Sequence, residues 1–277
     1  MRMTRRTAIA SALLSPALLL ARANVRVGVC DWSLKKGADI GALALAKDIG
    51  FEGVEVSLGR NVPEQVLPLD AAVLQSRYIT MSRDLGIKLT STCLDVLHVH
   101  VLKSDPLAPK LISDAIRISR AMGAPAILLP SFGPGAISGR DEMSRVSDIL
   151  KPLMAEAERA RIVLALENTL SAEDNAFIMD RVGSNNLKVY YDIANSHYNG
   201  YDVPKEIEWL GKQRIALVHF KERGYLGSGQ VPIEGVVSAL HKISYQGFIN
   251  LELGSPSGDL PADMRRNLAY TRKVMTA

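Results

Sequence analysis

The sequence predicts an α/β protein of one domain, a (β/α)8 or TIM barrel. Short apolar runs alternate with helical patterns along the chain, and one such strand–helix unit occupies about 30 residues. Eight units of this kind are the number that closes into a barrel. An open doubly wound sheet is disfavoured, because Asp31-Trp32-Ser33-Leu34 follows the first strand where a glycine fingerprint would stand.

The first four units occupy residues 25–160. Their apolar runs are short and unbroken, as in parallel strands that are buried on both faces. The first three helical patterns end at glycines, which favour the left-handed conformation that closes a helix. The predicted strands are Val25–Cys30, Gly53–Leu58, Lys88–Asp95 and Ala126–Leu129, and the predicted helices are Ile40–Ile49, Leu69–Leu85, Pro106–Met122 and Arg140–Ala160.

The second half repeats this scheme, beginning with the stretch Ile162–Thr169, in which five apolar residues end abruptly in a carboxylate and an amide. The other predicted strands are Leu187–Asp192, Ile215–His219 and Phe248–Leu253, and the helices are Ser171–Val182, Pro204–Leu210, Ile233–Ile243 and Pro261–Val274.

Residues 1–23 are predicted to be a cleavable signal peptide that precedes the barrel at 24–277. Arg5 and Arg6 stand before the apolar run from Ala8 to Leu20, and Ala21-Arg22-Ala23 is typical of a cleavage site. The paired arginines resemble a twin-arginine leader. The run is too short to span a bilayer, so the expected location is the periplasm, with no stable membrane span after cleavage.

The net charge argues against a nucleic-acid partner. Residues 1–23 contain four arginines and no acid, so removing them takes the formal charge from +4 to zero. Nucleic-acid binding depends on surplus Lys and Arg. The expected partner is therefore a small molecule, and assembly into a homo-oligomer is left open.

The two cysteines, Cys30 and Cys93, lie in apolar strand-like runs. They would be able to pair in an oxidising compartment. Small core side chains are the favoured interpretation of both.

Four successive strands of the second half each carry one hard metal-type ligand near the same end: Glu167, Asp192, His219 and Glu252. The ends of these strands converge in a barrel, and three carboxylates with an imidazole would repel one another unless a cation bound them. This oxygen-rich set predicts one divalent ion, with Mn²⁺ in first place and Mg²⁺, Co²⁺ or Zn²⁺ as alternatives.

The motifs around these residues resemble the sugar phosphate isomerase/epimerase superfamily of xylose-isomerase-like barrels, and most closely its ketose 3-epimerases of the tagatose/psicose type and its inosose dehydratases. They are Leu-Glu-Asn-Thr at 166–169, Tyr-Asp-Ile-Ala-Asn at 191–195, Val-His-Phe-Lys-Glu at 218–222 and Leu-Glu-Leu-Gly at 251–254. The resemblance implies a metal held by the same four residues. It also implies that Glu167 and Glu252 are the acid/base pair on opposite faces of the sugar.

The resemblance also suggests a substrate-binding set, with departures from the family pattern. Glu173 matches a sugar-contacting position, although an exposed acid in the first turn of a helix explains it equally well. Asn195 stands where the family often has a histidine, and Tyr225 stands where it commonly has an arginine. The full candidate set is Glu173, Asn195, His197, Lys221, Arg223, His98 and Trp32, and His100 accompanies His98 in a stretch that a solvated loop explains as well.

Removing the C–H proton beside a ketone gives an enediolate, which a metal stabilises as a Lewis acid, and a carboxylate on each face can exchange roles as base and acid. The expected function is therefore a metal-dependent sugar isomerase or epimerase. A dehydratase or keto-glycoside lyase uses the same enediolate, and a sugar-binding barrel with a structural metal is the non-enzymatic alternative. The superfamily's abasic-site endonucleases are disfavoured, because Asn195 and the segment Gly229–Gly235 lack their additional histidine ligands.

Overall fold

The structure is a computed structural model that describes residues 25–276. It confirms the barrel: eight parallel strands close in sequence order, and the last pairs with the first. They are β1 (Val25–Cys30), β2 (Gly53–Ser57), β3 (Lys88–Cys93), β4 (Ala126–Pro130), β5 (Val163–Glu167), β6 (Leu187–Asp192), β7 (Ile215–Phe220) and β8 (Gly247–Leu251). The predicted signal peptide lies outside the described residues and stays a prediction.

The described residues form ten α-helices. These are α1 (Gly41–Ile49), α2 (Ala72–Leu85), α3 (Ala108–Met122), α4 (Gly139–Leu150), α5 (Met154–Ala160), α6 (Ala172–Val182), α7 (Ile193–Tyr198), α8 (Val203–Arg214), α9 (Ile233–Lys242) and α10 (Leu260–Thr276). Within residues 25–276, no helix has both the length and the apolar character that crossing a membrane requires.

Several element boundaries shift by one or a few residues from the sequence prediction, and three differences change an element. The single helix predicted at Arg140–Ala160 is wrong: α4 and α5 are separated by a 3-10 turn at Lys151–Leu153, where proline has no N–H to donate to a continuing α-helix. Strand β3 ends at Cys93 rather than at Asp95, because a 3-10 turn begins at Asp95. Helix α7 was not predicted, and Asp192 caps it.

The barrel interior contains polar residues between its apolar side chains. Tyr190 on β6 contacts Glu55 on β2 at 2.8 Å, and Asn250 on β8 contacts Thr90 on β3 at 2.9 Å. These strands are not neighbours, so the contacts cross the inside of the barrel. Gly28 leaves room for them, since a Cβ there would lie 2.1 Å from Oδ1 of Asn250.

The two cysteines are free, buried thiols. Cys93 packs among the apolar residues of the barrel interior, while Cys30 lies beside His219. Burial raises the pKa of both thiols well above the ordinary value, so both are neutral at physiological pH. The interpretation as small core side chains holds for Cys93, and Cys30 additionally borders the polar group described below.

Candidate metal centre

The ends of β5 to β8 bring the four predicted ligands together. Glu167, Asp192, His219 and Glu252 each offer one ligand atom that lies within 4.8 Å of the other three. We call these four residues the ligand cluster. Two bonds of about 2.2 Å to one ion give a span of roughly this size. The parallel register explains the convergence, because Asp192 pairs directly with His219 across β6 and β7.

Asp192 presents to the cluster one carboxylate oxygen that makes no hydrogen bond with the described residues and lies 3.4 Å from Nζ of Lys221. Its Oδ1 accepts hydrogen bonds of 2.8 Å from the backbone N–H groups of both Ala194 and Asn195, which caps α7. Its Oδ2 is buried and accepts no hydrogen bond from the described residues. Burial raises the pKa of Asp192 to about 8, although the nearby Lys221 acts to lower it.

Glu252 is held by one donor on each oxygen. The indole Nε1 of Trp32 donates to Oε1 at 3.1 Å, and Nζ of Lys221 donates to Oε2 at 2.9 Å. Burial alone would raise the pKa of Glu252, but His219 and Lys221 outweigh it and lower this pKa to about 2. Glu252 is therefore ionised at neutral pH.

Glu167 and His219 face each other inside the cluster. Oε1 of Glu167 lies 3.3 Å from Nδ1 of His219 and accepts a hydrogen bond of 3.3 Å from Nδ2 of Asn195. Nδ1 of His219 also lies 3.3 Å from Oε2 of Glu252. One imidazole nitrogen is thus directed at both glutamates.

The residues present fit a hard divalent cation. The buried Oδ2 of Asp192 accepts no hydrogen bond from the described residues and is the type of oxygen that a bound cation would satisfy. Three carboxylates around one imidazole nitrogen form the oxygen-rich set that Mn²⁺, Mg²⁺ and Zn²⁺ accept. Lys221 is the nearest cation to these carboxylates, at 3.4 Å from Asp192.

A cavity of about 370 Å³ opens directly above the cluster. Its walls combine apolar and charged side chains, as in sites that orient a small polar molecule. It is lined by Trp32, Arg60, Cys93, Asp95, His98, Leu128, Pro130, Phe132, Glu167, Asn195, Lys221 and Glu252.

Four of the predicted substrate-binding residues lie in the cavity wall. Trp32, Asn195 and Lys221 also contact the ligand cluster through the hydrogen bonds given above. His98 stands on the opposite wall, where its ring stacks on Phe132 with centroids 6.4 Å apart.

The other three do not line this cavity. Glu173 is exposed in the first turn of α6, which agrees with the interpretation as a helix-start acid. His197 packs edge-on against Tyr198, and the guanidinium of Arg223 lies 4.0 Å above the same Tyr198 ring. A substrate-binding role for these three stays a prediction. His100, which accompanied His98 in the prediction, pairs with Asp105 at 2.9 Å instead.

Sequence reasoning missed three charged residues near the site. Arg60 and Asp95 line the cavity from loops that follow β2 and β3. Glu55 lies in the middle of β2, is 0% exposed, and contacts His219 from below at 2.7 Å. The signal for Glu55 was a lone carboxylate between Val54 and Val56 in an apolar strand, whereas Glu167 was identified because it ends its strand.

Comparison with known proteins finds relatives along most of the chain. The family model described as xylose isomerase-like TIM barrel matches residues 43–274. The Escherichia coli protein named "Putative L-ribulose-5-phosphate 3-epimerase SgbU" is 26% identical over 265 residues, which cover 86% of this chain and 92% of that protein.

One further relative carries an epimerase name, and a solved structure shares the fold. The 2-epi-5-epi-valiolone 7-phosphate 2-epimerase of an Actinoplanes species is 24% identical over 227 residues, covering 78% of this chain and 82% of that protein. The solved structure of an L-ribulose 3-epimerase has the same fold, with a TM-score of 0.76 at 20% identity over 91% of this chain and 95% of that one.

Proposed function

This chain belongs to the xylose isomerase-like TIM barrel family, and on that premise we propose that it is a divalent-metal-dependent epimerase of a ketose or keto-sugar. One observation carries the proposal: four metal-type ligands converge at the C-terminal end of the barrel, and two of them, Glu167 and Glu252, also line the cavity. The named functions of the relatives support the same reaction class, since each name describes an epimerase.

The two glutamates carry the proton transfers in this proposal. One carboxylate takes the proton from the carbon beside the carbonyl, the C–H electron pair forms a C=C bond, and the π pair of the carbonyl moves onto its oxygen to give an enediolate. The other carboxyl group then returns a proton to the opposite face of that carbon, and the carbonyl re-forms. A divalent ion in the ligand cluster would supply the Lewis acidity that stabilises the negative charge on oxygen.

Other side chains keep this pair in position. Asn195 donates to Glu167, and Trp32 and Lys221 donate to Glu252. Each glutamate is thereby fixed from outside the cluster, which favours a constant distance to a bound sugar. Leu128, Pro130 and Phe132 supply an apolar wall that limits access of water to the substrate.

The test is exchange of a carbon-bound substrate proton with solvent deuterium, followed by NMR on the metal-loaded protein. A panel of ketoses and keto-sugars, with and without phosphate, is incubated in deuterated water. We expect exchange and a product of unchanged composition in the wild type, and no exchange with Glu167→Gln. Glu158→Gln, on the exposed face of α5, is the matched control and keeps full exchange.

Other outcomes of this experiment would indicate a different function. Mass spectrometry that shows loss of water or cleavage of the substrate would assign the site to a dehydratase or keto-glycoside lyase. Tight sugar binding without exchange across the panel would assign it to a binding barrel. Exchange that persists in Glu167→Gln would remove Glu167 from the acid/base pair.

We also propose that the protein is exported, on the strength of Arg5-Arg6, the apolar run and Ala21-Arg22-Ala23 in its sequence. Export would favour unphosphorylated sugars, because phosphorylated ones are scarce outside the cytoplasm. N-terminal sequencing of the protein from a periplasmic fraction tests this. A mature chain that begins after residue 23 is expected, and an intact N-terminus in the cytoplasmic fraction would contradict it.

A further inference from the structure

Glu55 is a fully buried carboxylate that the proposed proton transfers do not use. It lies on β2 inside the barrel, on the side of His219 away from the cavity, and it is 0% exposed. An isolated carboxylate is costly to bury and needs a compensating partner. Its position on a strand distant from β7 means that the barrel closure itself brings it to His219.

One oxygen of Glu55 makes all of its contacts. Oε2 lies 2.7 Å from Nε2 of His219 and accepts a hydrogen bond of 2.8 Å from the hydroxyl of Tyr190. The thiol of Cys30 and the amide of Asn250 stand farther away, at 3.5 Å each. Oε1 accepts no hydrogen bond from residues 25–276.

The two nitrogens of His219 therefore face two different groups. Nε2 faces Glu55, and Nδ1 faces Glu167 and Glu252 in the ligand cluster. Oε2 of Glu55 accepts from the hydroxyl of Tyr190, and its 2.7 Å contact with Nε2 is much shorter than the 3.3 Å contacts of Nδ1, so Nε2 is the nitrogen that keeps its proton. With a metal bound, Nε2 would keep its proton for Glu55, and the lone pair of His219 would lie on Nδ1, on the side of Glu167 and Glu252.

We propose that Glu55 is a positioning residue that fixes His219 in its Nε2-protonated form and so directs the Nδ1 lone pair at the metal. The inference deepens the proposed function and rests on it only in assuming that the ligand cluster binds a divalent ion. Glu55 also places a negative charge behind the imidazole, which makes the ring a stronger ligand.

Cys30, Glu55 and His219 also lie close enough together to suggest a second metal site. The distances argue against it. Two ligands bonded at about 2.0–2.1 Å to one tetrahedral ion lie roughly 3.3 Å apart, whereas Glu55 and His219 are 2.7 Å apart, a hydrogen-bond distance. Cys30 is moreover a neutral thiol, because its burial raises its pKa. This group supports the ligand cluster from below rather than forming a centre of its own.

The experiment compares Glu55→Gln with Tyr190→Phe. Each removes one feature at Oε2: the first removes the carboxylate charge, and the second removes only the hydroxyl donor. Titration calorimetry with Mn²⁺ alone gives the affinity, and long-range ¹H–¹⁵N NMR of the Zn²⁺-loaded protein reports which nitrogen of His219 carries the proton. Thermal unfolding is recorded for every variant.

We expect Glu55→Gln to weaken Mn²⁺ binding by roughly 10- to 100-fold, the usual cost of losing a group that orients a ligand. We expect Tyr190→Phe to change it less than about threefold, since the contact between Glu55 and His219 remains. The His219 spectrum of the wild type should show the proton on Nε2. Should Glu55→Gln not fold, Glu55→Asp carries the same test, because it keeps the charge but is one methylene too short to reach His219.

Equal Mn²⁺ affinity in the wild type and Glu55→Gln, or a wild-type spectrum with the proton on Nδ1, would overturn the inference. An equal loss in Tyr190→Phe would also overturn it, by assigning the effect to the polar interior as a whole. None of these measurements uses a sugar. If the wild type binds Mn²⁺ but exchanges no substrate proton, the proposed epimerase fails while the role of Glu55 stands.

Discussion

The indole Nε1 of Trp32 donates a hydrogen bond of 3.1 Å to Oε1 of Glu252, and so joins the first strand–helix connection of the barrel to the last strand. Trp32 was predicted from sequence as a substrate contact. It does line the cavity, but its measured contact is with a proposed acid/base residue. Trp32 therefore orients Glu252 as well as bordering the substrate.

Trp32→Phe keeps an aromatic wall and removes the N–H donor. Hydrogen bonds to charged groups contribute about 1.5–3 kcal/mol, so we expect kcat to fall by roughly 10- to 100-fold with a smaller change in KM. Steady-state kinetics measures both. Trp209→Phe is the matched control, since Trp209 is the other tryptophan of the chain and is half exposed. A kcat that is unchanged in Trp32→Phe would contradict the orienting role.

Asp192→Asn separates metal binding from helix capping. Asparagine caps helices as well as aspartate does, so the start of α7 should stay intact while the charge of the ligand is lost. We expect the affinity for Mn²⁺ to fall by about 100-fold or more, since a direct ligand contributes at least as much as its supporting groups. Calorimetry measures the affinity, and circular dichroism measures the fold.

The matched control is Asp202→Asn. Asp202 caps α8 in the same manner, by accepting from the backbone N–H of Lys205, but it lies outside the ligand cluster. We expect unchanged Mn²⁺ affinity in this variant. Equal affinities in Asp192→Asn and the wild type would show that Asp192 is only a cap.

The raised pKa of Asp192 predicts a pH dependence of metal binding. Burial raises this pKa to about 8, so below pH 8 the metal-free carboxyl group carries a proton that the metal must displace. Affinity should therefore be highest above pH 8 and fall by up to about tenfold per pH unit below it. Competition against a chelator of known pH dependence, from pH 6 to 9, measures this. A constant affinity over that interval would contradict the prediction.

The position of the ligands along the chain was predictable, because each ligand ends an apolar run and parallel strands end together. Glu167, Asp192, His219 and Glu252 satisfied that rule in the sequence and lie together in the structure. Glu55 did not satisfy it, since it lies within β2 rather than at its end. Its partner His219 is 164 residues away in sequence, and the two residues come into contact only because the barrel closes.

The direction of side chains on loops was not predictable in the same way. Arg223 follows His219 by four residues, so continued extension of β7 would have placed it beside Lys221 on one face. The strand instead ends at Phe220, and Arg223 turns onto the ring of Tyr198. Glu222 fixes this turn by accepting hydrogen bonds from Tyr198 and from the backbone of Val231. A buried acid that fixes a loop through hydrogen bonds leaves no periodic pattern of apolar and polar residues in the sequence.

Lys221 compensates the carboxylates of the ligand cluster, at 2.9 Å from Glu252 and 3.4 Å from Asp192. A bound cation would be repelled by this ammonium group. Charges about 5 Å apart interact by about 3 kcal/mol at an effective dielectric constant of about 20, and screening by solvent reduces this at a partly exposed side chain. Lys221→Met should therefore bind Mn²⁺ about tenfold more tightly. Loss of the Lys221 charge also favours binding of a proton to Asp192, but a proton carries one charge and therefore gains half the electrostatic free energy that a divalent ion gains.

The same substitution should lower turnover, because Lys221 lines the cavity and holds Glu252. Tighter metal binding together with slower catalysis is an outcome that general damage to the fold does not produce. Lys242→Met, which removes a surface lysine paired with Glu208, should change neither quantity. Calorimetry with Mn²⁺ and deuterium exchange of the substrate measure the two effects. Weaker Mn²⁺ binding in Lys221→Met would mean that Lys221 helps to assemble the cluster rather than oppose the cation.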